Sequence, residues 1–312
     1  MAHRRWVAIQ RNRKSGRGGQ YPVLMSLIRA LRRFGLTPRL FSKREELDRA
    51  VLAHANLAST PQLGEWGELY GIVAAGGDGT VLDLLNRHPS IPVAVLPLGT
   101  ENLLARHLGI PRRDGEFVAR MIADGLITKI DLGQVNGGRF ATVASCGFDA
   151  EVIHRLYQSR SGNIRHWHYV RPVLASLWNF PFPELRVTID DSTEPVTGGM
   201  VVVANLPDYA FRLPLVPTAI GNDGLLDVRV FPHRSAWGFV RDFLRVCLRR
   251  HEWLPQVSRF RAKRIRIEAT GPFPVQADGD SVAVTPVTIE VLPLAARLFV
   301  PQTSSQTPVE PQ

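Results

Sequence analysis

Apolar and polar positions in the first 130 or so residues alternate between two patterns. Short apolar runs, typical of buried strands, are separated by segments whose apolar residues recur every three to four positions, as on one face of a helix. The strand-like runs are residues 6–10, 36–42, 70–75 and 91–97, and helix-like segments include residues 21–34 and 43–57. Strands that alternate with helices predict a parallel sheet covered on both faces. Ligands bind such sheets beyond the carboxyl ends of the strands.

The pattern changes after about residue 130. Asn136-Gly137-Gly138 predicts a hairpin turn. The strands that follow are short and alternating, and Gly, Pro and Asn separate them, which indicates an antiparallel sandwich. They include residues 184–190, 198–205, 225–231, 264–269 and 287–293, and two helical stretches, 164–179 and 235–250, interrupt them.

These patterns predict an α/β protein in two domains with a polar tail. We expect an N-terminal parallel-sheet domain at 1–129 and a C-terminal antiparallel β-sandwich domain at 130–300. Residues 301–312 are polar and proline-rich, which is typical of a disordered segment.

Composition narrows the class of protein. The chain has 312 residues, enough for two hydrophobic cores. No apolar run approaches the roughly 18 to 20 residues that span a bilayer, and the first residues lack the pattern of a signal peptide. The two cysteines, Cys146 and Cys247, are too few for a disulfide framework. We therefore expect a cytoplasmic protein.

The formal net charge of +10 favours anionic partners such as phosphorylated ligands or an anionic membrane surface. An arginine-rich solvated surface explains the same charge equally well. Nothing except charge points to nucleic acid, so no nucleic-acid partner is expected.

One strand end carries the segment Gly76-Gly77-Asp78-Gly79-Thr80. Glycine lets a ligand approach backbone amides closely, and Thr80 is placed to cap the helix that follows. A helix N-terminus with bared amides is an anion site. Asp78 would repel a bare phosphate, so we expect it to accept from a ribose hydroxyl or a loop amide, or to act through a divalent cation. An ordinary glycine-rich turn is the alternative.

Two further strand ends have the same character. Gly99, Thr100 and Asn102 follow the fourth strand, and Asn12, Lys14 and Ser15 follow the first. Three phosphate-friendly loops after successive strands are much less probable by chance than one. We therefore predict a nucleotide site that these loops share with the glycine-rich segment.

Two carboxylates lie near the chain end, in Asp278-Gly279-Asp280. Phosphoryl transfer needs Mg²⁺ to offset phosphate charge and a base that takes the acceptor's hydroxyl proton, and an acidic pair can serve both needs. A hairpin turn with exposed acids is the simpler alternative.

Five segments occur in a recognisable order, at residues 12–16, 76–80, 97–102, 223–227 and 278–280. Together they resemble the diacylglycerol kinase catalytic family, which includes bacterial lipid kinases and the sphingosine and ceramide kinases. The resemblance extends from residue 7 to about residue 300. The Gly-Gly-Asp-Gly-Thr motif alone also occurs in NAD kinases and phosphofructokinases.

The resemblance implies an ATP-binding domain followed by a β-sandwich domain. The residues it places around the nucleotide are Asn12, Gly77, Asp78, Gly79, Thr80, Thr100 and Asn102. It implies that Asp278 and Asp280 are the catalytic acids, that Asp149 lies near the lipid headgroup, and that Asp223 belongs to a structural Mg²⁺ site.

Three positions depart from the family pattern. Arg13 replaces a proline, Leu103 replaces an aspartate, and Asp280 is one methylene shorter than the usual glutamate. We predict an ATP- and Mg²⁺-dependent kinase that phosphorylates a diacylglycerol-like or sphingoid-like lipid. A NAD kinase-like enzyme with a soluble acceptor and a non-catalytic lipid- or nucleotide-binding protein remain alternatives.

Two helical stretches bear on how such a protein meets a lipid. Arg241, Arg245 and Arg249 recur every four residues opposite Val240, Phe243 and Cys247, which predicts a basic face on an anionic membrane. Trp167, Tyr169 and Trp178 are expected at the membrane interface. A solvated helix and a core stripe are the respective alternatives.

Overall fold

The computed structural model describes residues 5–12, 20–57, 67–158, 180–207, 209, 213, 215–232, 235–248 and 256–302. The chain divides into two compact units, of which the first contains Met1–Ile130 and Ala295–Gln312 and the second contains Asp131–Leu294. Each unit has its own sheet architecture and its own core.

The first unit is built around parallel strands in the order β2-β1-β3-β4. Its elements are β1 (Arg5–Arg11), α1 (Gln20–Arg33), β2 (Thr37–Phe41), α2 (Arg44–Leu57), β3 (Glu68–Gly76), α3 (Asp78–Arg87), β4 (Val93–Pro97), α4 (Leu103–His107) and α5 (Gly115–Asp124). The last six residues of β3 and all of β4 are buried, as expected for strands covered on both faces. The predicted parallel-sheet domain is confirmed.

The second unit contains two antiparallel sheets. Its elements are β5 (Ile127–Val135, of which Asp131–Val135 belong to this unit), β6 (Gly138–Phe140), β7 (Val143–Cys146), α6 (Phe148–Gln158), β8 (Leu185–Ile189), β9 (Val196–Gly198), β10 (Met200–Ala204), β11 (Leu226–Phe231), α7 (Ala236–Cys247), β12 (Ser258–Ala262), β13 (Arg264–Ala269), β14 (Pro274–Ala277), β15 (Asp280–Val284) and β16 (Val287–Phe299, of which Val287–Leu294 belong to this unit). One sheet has the order β12-β11-β10-β7-β14-β15, and in the other β16, β13, β8 and β9 are consecutive neighbours.

A single apolar core fills the space between these two sheets. Val201, Val203 and Val228 come from the first sheet, and Ile265 and Ile289 come from the second. Alternate residues of each strand point into this core, which is the arrangement of a β-sandwich. The predicted sandwich is confirmed, and so is the hairpin, because Asn136 and Gly137 adopt positive φ angles of 46° and 90° between β5 and β6.

The boundary after β16 differs from the predicted end of the second domain at residue 300. Ala295 and the residues after it belong to the first unit. Leu298 pairs in parallel with Val93 of β4, and Phe299 is 1% exposed and packs against Tyr70 with ring centroids 5.6 Å apart. The predicted disordered tail falls almost entirely on residues 303–312, outside the described residues.

Candidate functional site

Two glycine-rich loops of the first unit approach each other at the ends of β3 and β4. A Cβ atom added to Gly99 would lie 2.5 Å from the Cα of Gly77, and one added to Gly76 would lie 2.3 Å from the hydroxyl of Thr80. Real side chains do not tolerate such contacts, so these positions require glycine for close packing. The amides of Leu98 and Gly99 donate to the carbonyl of Gly76, at 2.9 and 3.2 Å.

Asp78 ties these two loops together. Its Oδ1 accepts a hydrogen bond from the amide of Leu104, 3.2 Å away at the start of α4. Burial raises the pKa of the Asp78 carboxyl, and hydrogen bonds from the backbone of Leu103 and Leu104 oppose the rise. Of the three partners expected for Asp78, the structure supplies the loop amide.

The side chain of Asn102 is buried inside the second loop and stabilises its turn. It is 2% exposed and has a left-handed φ of 52°. Its Oδ1 accepts from the amide of Gly99 at 2.9 Å, and its Nδ2 donates to the carbonyl of the same residue at 2.8 Å. Asn102 therefore shapes the turn with both ends of its side chain, while Thr100 is exposed beside it.

Thr80 does not cap α3, contrary to the expectation. The N-cap is Gly77, and Thr80 lies inside the first turn of the helix. Its hydroxyl accepts a hydrogen bond from Nδ2 of Asn12 at 3.2 Å, and the backbone N–H of Asn12 donates to Ala75 at 3.2 Å. These bonds bring the end of β1 to the glycine loop. Lys14 and Ser15 lie outside the described residues.

A cavity of about 460 Å³ lies beside this junction. It is lined by Gln10, Arg11, Asn12, Ser42, Arg44, Thr80 and Asp83. The sequence motifs missed five of these residues, namely Gln10, Arg11, Ser42, Arg44 and Asp83. The available signal was their position at the end of β1, just after β2, on the first turn of α2 and on the second turn of α3. The cavity, its two arginines and the N-terminus of α3 form a chemically suitable site for a nucleoside triphosphate.

In the second unit, Asp278 occupies a tight turn between β14 and β15. Its φ is 48°, and its carboxylate is turned inward onto the segment before β7. Oδ2 accepts from the amide of Ala141 at 2.6 Å, and Oδ1 accepts from the amides of Thr142 at 2.9 Å and Val143 at 3.1 Å. The hydroxyl of Thr142 also donates to Oδ1.

The surroundings of Asp278 act on its pKa in opposite directions. Burial raises the pKa of the carboxyl, and the donors from Thr142, Ala141 and Val143 stabilise the ionised form and lower it. Among the described residues only one donor reaches Oδ2. A carboxylate oxygen offers about two acceptor positions, so Oδ2 keeps the capacity to take a further proton donor.

Asp280 lies two residues further on, at the first position of β15, and it is exposed. The next residue, Ser281, contacts Nδ1 of His154 on α6 at 2.9 Å. The two predicted catalytic acids therefore differ in setting, since Asp278 is held by the backbone whereas Asp280 faces solvent.

Asp149, the predicted acceptor-binding residue, lies on the first turn of α6 in a buried polar network. Its Oδ2 accepts from the hydroxyls of Ser145 and Tyr209, the latter at 3.4 Å. Nε2 of Gln276 donates to the Ser145 hydroxyl at 2.6 Å, while Oε1 of Gln276 accepts from the amide of Gly279 at 3.0 Å. Gln276 thus links the Asp149 network to the turn that carries Asp278.

The other oxygen of Asp149, Oδ1, differs from Oδ2 in its surroundings. Oδ1 is buried and has no hydrogen-bond partner among the described residues. Burial raises the pKa of the Asp149 carboxyl, and burial beside Asp149 raises the pKa of Tyr209 well above its usual value. A buried carboxylate oxygen without a partner is unfavourable, so it marks a position where a ligand donor would be stabilised.

Asp149 lines an apolar cavity of about 110 Å³. The other lining residues are Met200, Tyr209, Leu213, Leu215, Phe231, Phe239, Asp242, Phe243 and Val246. This is the surrounding expected for a hydrocarbon chain whose polar end reaches a carboxylate.

Asp223 has an arginine and a backbone amide as partners of its carboxylate in the described part of the chain, not a cluster of further metal-binding side chains. Its carboxylate pairs with Arg261 and accepts from the amide of Leu225 at 3.0 Å. Among the described residues, no group of three or more His, Cys, Asp or Glu side chains could hold a metal ion. These residues do not fit the structural Mg²⁺ site that the resemblance implies.

The helix with the predicted basic face is α7, and its exposed side is partly apolar. Gly238, Asp242 and Val246 are its buried residues. Phe243 and Cys247, expected opposite the arginines, are exposed together with Arg241. Trp237, Leu244 and Leu248 are also exposed, at 74%, 55% and 64%.

The structure describes only some of the other residues that were predicted to face a membrane. Arg245 lies 3.7 Å from Asp242. Arg249 and the aromatic residues Trp167, Tyr169 and Trp178 lie outside the described residues. None of the described helices is long and apolar enough to cross a bilayer.

Two family models match the chain, one on each side of residue 140. Residues 7–135 match the diacylglycerol kinase catalytic domain, and residues 142–300 match the YegS C-terminal NAD kinase beta sandwich-like domain. The two matches follow the division between the parallel-sheet unit and the sandwich.

Curated relatives and solved structures agree with the family models. A diacylglycerol kinase of Mycobacterium tuberculosis is 31% identical over 242 residues, covering 74% of this chain and 77% of the relative. One of Bacillus subtilis is 25% identical over 221 residues, covering 69% and 72%. The crystal structure of a diacylglycerol kinase from Bacillus anthracis superposes with a TM-score of 0.66 at 20% identity, covering 97% of this chain and 98% of the other.

Proposed function

Because the chain belongs to the diacylglycerol kinase family, we propose that it transfers the γ-phosphoryl group of ATP to a hydroxyl group of a lipid. The acceptor is diacylglycerol-like or sphingoid-like. Both are amphiphiles with a hydroxyl group at the polar end and hydrocarbon at the other.

The observation that carries this proposal is the apolar cavity beside Asp149. Its walls include Leu213, Leu215, Phe239 and Val246, and Asp149 supplies a buried oxygen that has no hydrogen-bond partner in the described part of the chain. A hydrogen-bond donor of the lipid headgroup that reaches Oδ1 would satisfy this oxygen while a short hydrocarbon segment enters the cavity, and the proton of the hydroxyl that is phosphorylated stays available to the base. A dinucleotide acceptor is highly charged and would lose its hydration against such walls, which favours a lipid over NAD.

Asp278 is the proposed general base. Its carboxylate is fixed by backbone donors, so it is oriented before the acceptor arrives. Oδ2 would accept the proton of the acceptor hydroxyl as its oxygen attacks the γ-phosphorus, and ADP would depart. Asp280 contributes a second negative charge two residues away.

The nucleotide would bind the first unit. Asn12 and Thr80 line the 460 Å³ cavity, and the N-terminus of α3 at Gly77 to Gly79 would hold phosphate oxygens. Asp78, Gly99 and Asn102 maintain the shape of the loops around this site. Mg²⁺ would enter with ATP and offset the charge of its phosphates.

The lipid is delivered, in this proposal, from the surface of an anionic membrane. The inner side of α7 lines the acceptor cavity through Phe239 and Val246. The same helix exposes Leu244, Leu248 and Arg241, a combination of apolar and basic side chains suited to a headgroup layer. The protein would thus act as a peripheral membrane enzyme.

Asp149→Asn tests the acceptor site. The substitution keeps the shape of the side chain but weakens Oδ1 as an acceptor, so the KM for the lipid should rise about tenfold, the equivalent of one charged hydrogen bond. The KM for ATP should not change. Initial rates in lipid–detergent micelles, with each substrate varied in turn, provide the measurement.

Glu151→Gln is the matched control for that substitution. Glu151 lies on the same helix and pairs with Arg155 rather than lining the cavity. The control should behave as wild type. Equal lipid KM values in Asp149→Asn and wild type would remove Asp149 from the acceptor site.

A further inference from the structure

Asn205 follows β10 and is 1% exposed. Its Nδ2 donates two hydrogen bonds of 2.8 Å, to the backbone carbonyls of Asp131 and Ala141. Its own backbone N–H donates to the carbonyl of Thr142, also at 2.8 Å. One buried residue therefore holds two consecutive carbonyls of the segment before β7.

These two carbonyls belong to the peptide groups that hold Asp278. A peptide group is planar, so the carbonyl of one residue fixes the direction of the N–H of the next. The carbonyl of Ala141 shares its peptide group with the N–H of Thr142, and the carbonyl of Thr142 shares one with the N–H of Val143. Both N–H groups donate to Oδ1 of Asp278, at 2.9 and 3.1 Å.

We infer that Asn205 is a positioning residue, which holds these two peptide groups from behind and thereby sets the orientation of the Asp278 carboxylate. The inference rests on the proposed function, in which Asp278 is the base. Asn205 itself touches neither substrate nor reacting atoms. If the carbonyls that Asn205 holds were to shift, the N–H groups of Thr142 and Val143 would tilt with them. The carboxylate of Asp278 would then turn, and its Oδ2 would point away from the acceptor hydroxyl.

The inference predicts a change in kcat without a change in nucleotide binding. Asn205→Ala removes both side-chain bonds, and Asn205→Asp keeps the shape but places a carboxylate against two carbonyl oxygens. In each variant kcat should fall about 10- to 100-fold, the range that follows from small misplacement of a catalytic group. The KM for ATP should remain that of wild type. Asn205→Ser, which can still donate one bond, should be intermediate.

Thr285→Val is the matched control. Thr285 is 4% exposed, and its hydroxyl accepts from the amide of Phe273 at 2.9 Å and donates to the carbonyl of Gly271 at 3.0 Å. It bridges two backbone groups of the same unit, as Asn205 does, but not those that hold Asp278. Loss of the Thr285 hydroxyl should lower the melting temperature of the protein and leave kcat unchanged.

Hydrogen exchange of peptides spanning residues 138–146 supplies a readout that needs no activity. The amide of Thr142, whose peptide group loses the side-chain bond to the carbonyl of Ala141, should exchange faster in Asn205→Ala than in wild type or Thr285→Val. Unchanged exchange, or an unchanged kcat in folded Asn205 variants, would overturn the inference. A wild-type protein with no lipid turnover would overturn the proposed function instead, and the exchange result would still decide whether Asn205 holds these peptide groups.

Discussion

Three aspartates of this protein differ in the hydrogen bonds that their carboxylates accept. Asp78 accepts a loop amide in the first unit, Asp278 accepts several backbone donors, and Asp149 has one buried oxygen that no described residue reaches with a hydrogen bond. Burial raises the pKa of all three carboxyls. What separates them is that the open oxygen of Asp149 is buried, where a ligand donor would be most strongly stabilised.

Asp78→Ala should weaken ATP binding about tenfold or more, because the loss of a charged hydrogen bond to Leu104 lets the two glycine loops separate. Titration calorimetry with ATP gives the affinity. Asp114→Ala is the control, since Asp114 also accepts a backbone amide, that of Phe117 at 2.9 Å, but caps α5. Unchanged ATP affinity in Asp78→Ala would exclude the glycine loops from the nucleotide site.

Asp278→Asn should lower kcat about 10²- to 10⁴-fold, the usual contribution of a general base, and leave ATP affinity unchanged. Melting curves must accompany the rates, because the side-chain amide introduced by this substitution would place its own N–H group against backbone N–H donors that bind the carboxylate in the wild type. The curves show whether the variant is still folded. Asp280→Glu, which restores the longer acid of the family, should retain or raise activity. Full turnover in Asp278→Asn would assign the base to another group.

Residue roles were only partly predictable from the sequence. The motif around Asn102 predicts a nucleotide site, but a motif does not tell whether a polar side chain faces a ligand or its own turn. The structure gives both ends of this side chain to Gly99. The same ambiguity applies to Thr80, whose hydroxyl meets Asn12 rather than capping α3.

At the scale of elements, α7 joins two properties that the proposed function requires of one helix. Its inner side lines the acceptor cavity, and its outer side exposes apolar residues together with Arg241. The arginine spacing predicted the basic component. The exposed Leu244 and Leu248 could not be inferred, because an apolar stripe on a helix usually faces the core, and here a buried aspartate, Asp242, lies on the core side.

Vesicle binding tests α7. Arg241→Gln/Arg245→Gln should weaken binding to phosphatidylglycerol vesicles by up to about 2 kcal/mol, roughly 30-fold, at about 1 kcal/mol per cation. Leu244→Ser/Leu248→Ser should weaken it as well, and salt should weaken the wild type. Sedimentation with anionic and neutral vesicles provides the measurement.

Leu52→Ser is the control for these variants, since Leu52 is 62% exposed on α2 of the other unit. It should bind vesicles as wild type does. Equal sedimentation of all variants with both kinds of vesicle, at any salt concentration, would leave α7 as a solvated helix.

At the scale of the molecule, the order of the two units was predictable from the sequence, whereas the second transition between them was not. The change from alternating strand and helix to short strands gave the first transition near residue 130. The second transition lies inside β16, after Leu294. A local pattern of apolar residues looks the same on both sides of that point, because the pairing partner of a strand is set by distant segments such as β13 and β4.

The central claim is that this chain phosphorylates a lipid, and a direct measurement compares acceptors under one set of conditions. The purified protein is incubated with γ-labelled ATP and Mg²⁺, and with diacylglycerol micelles, sphingosine micelles or NAD. We expect label in the organic phase as a phosphorylated lipid with at least one of the two lipids, and no labelled NADP. Labelled NADP, or ATP binding without transfer to any acceptor, would contradict the account.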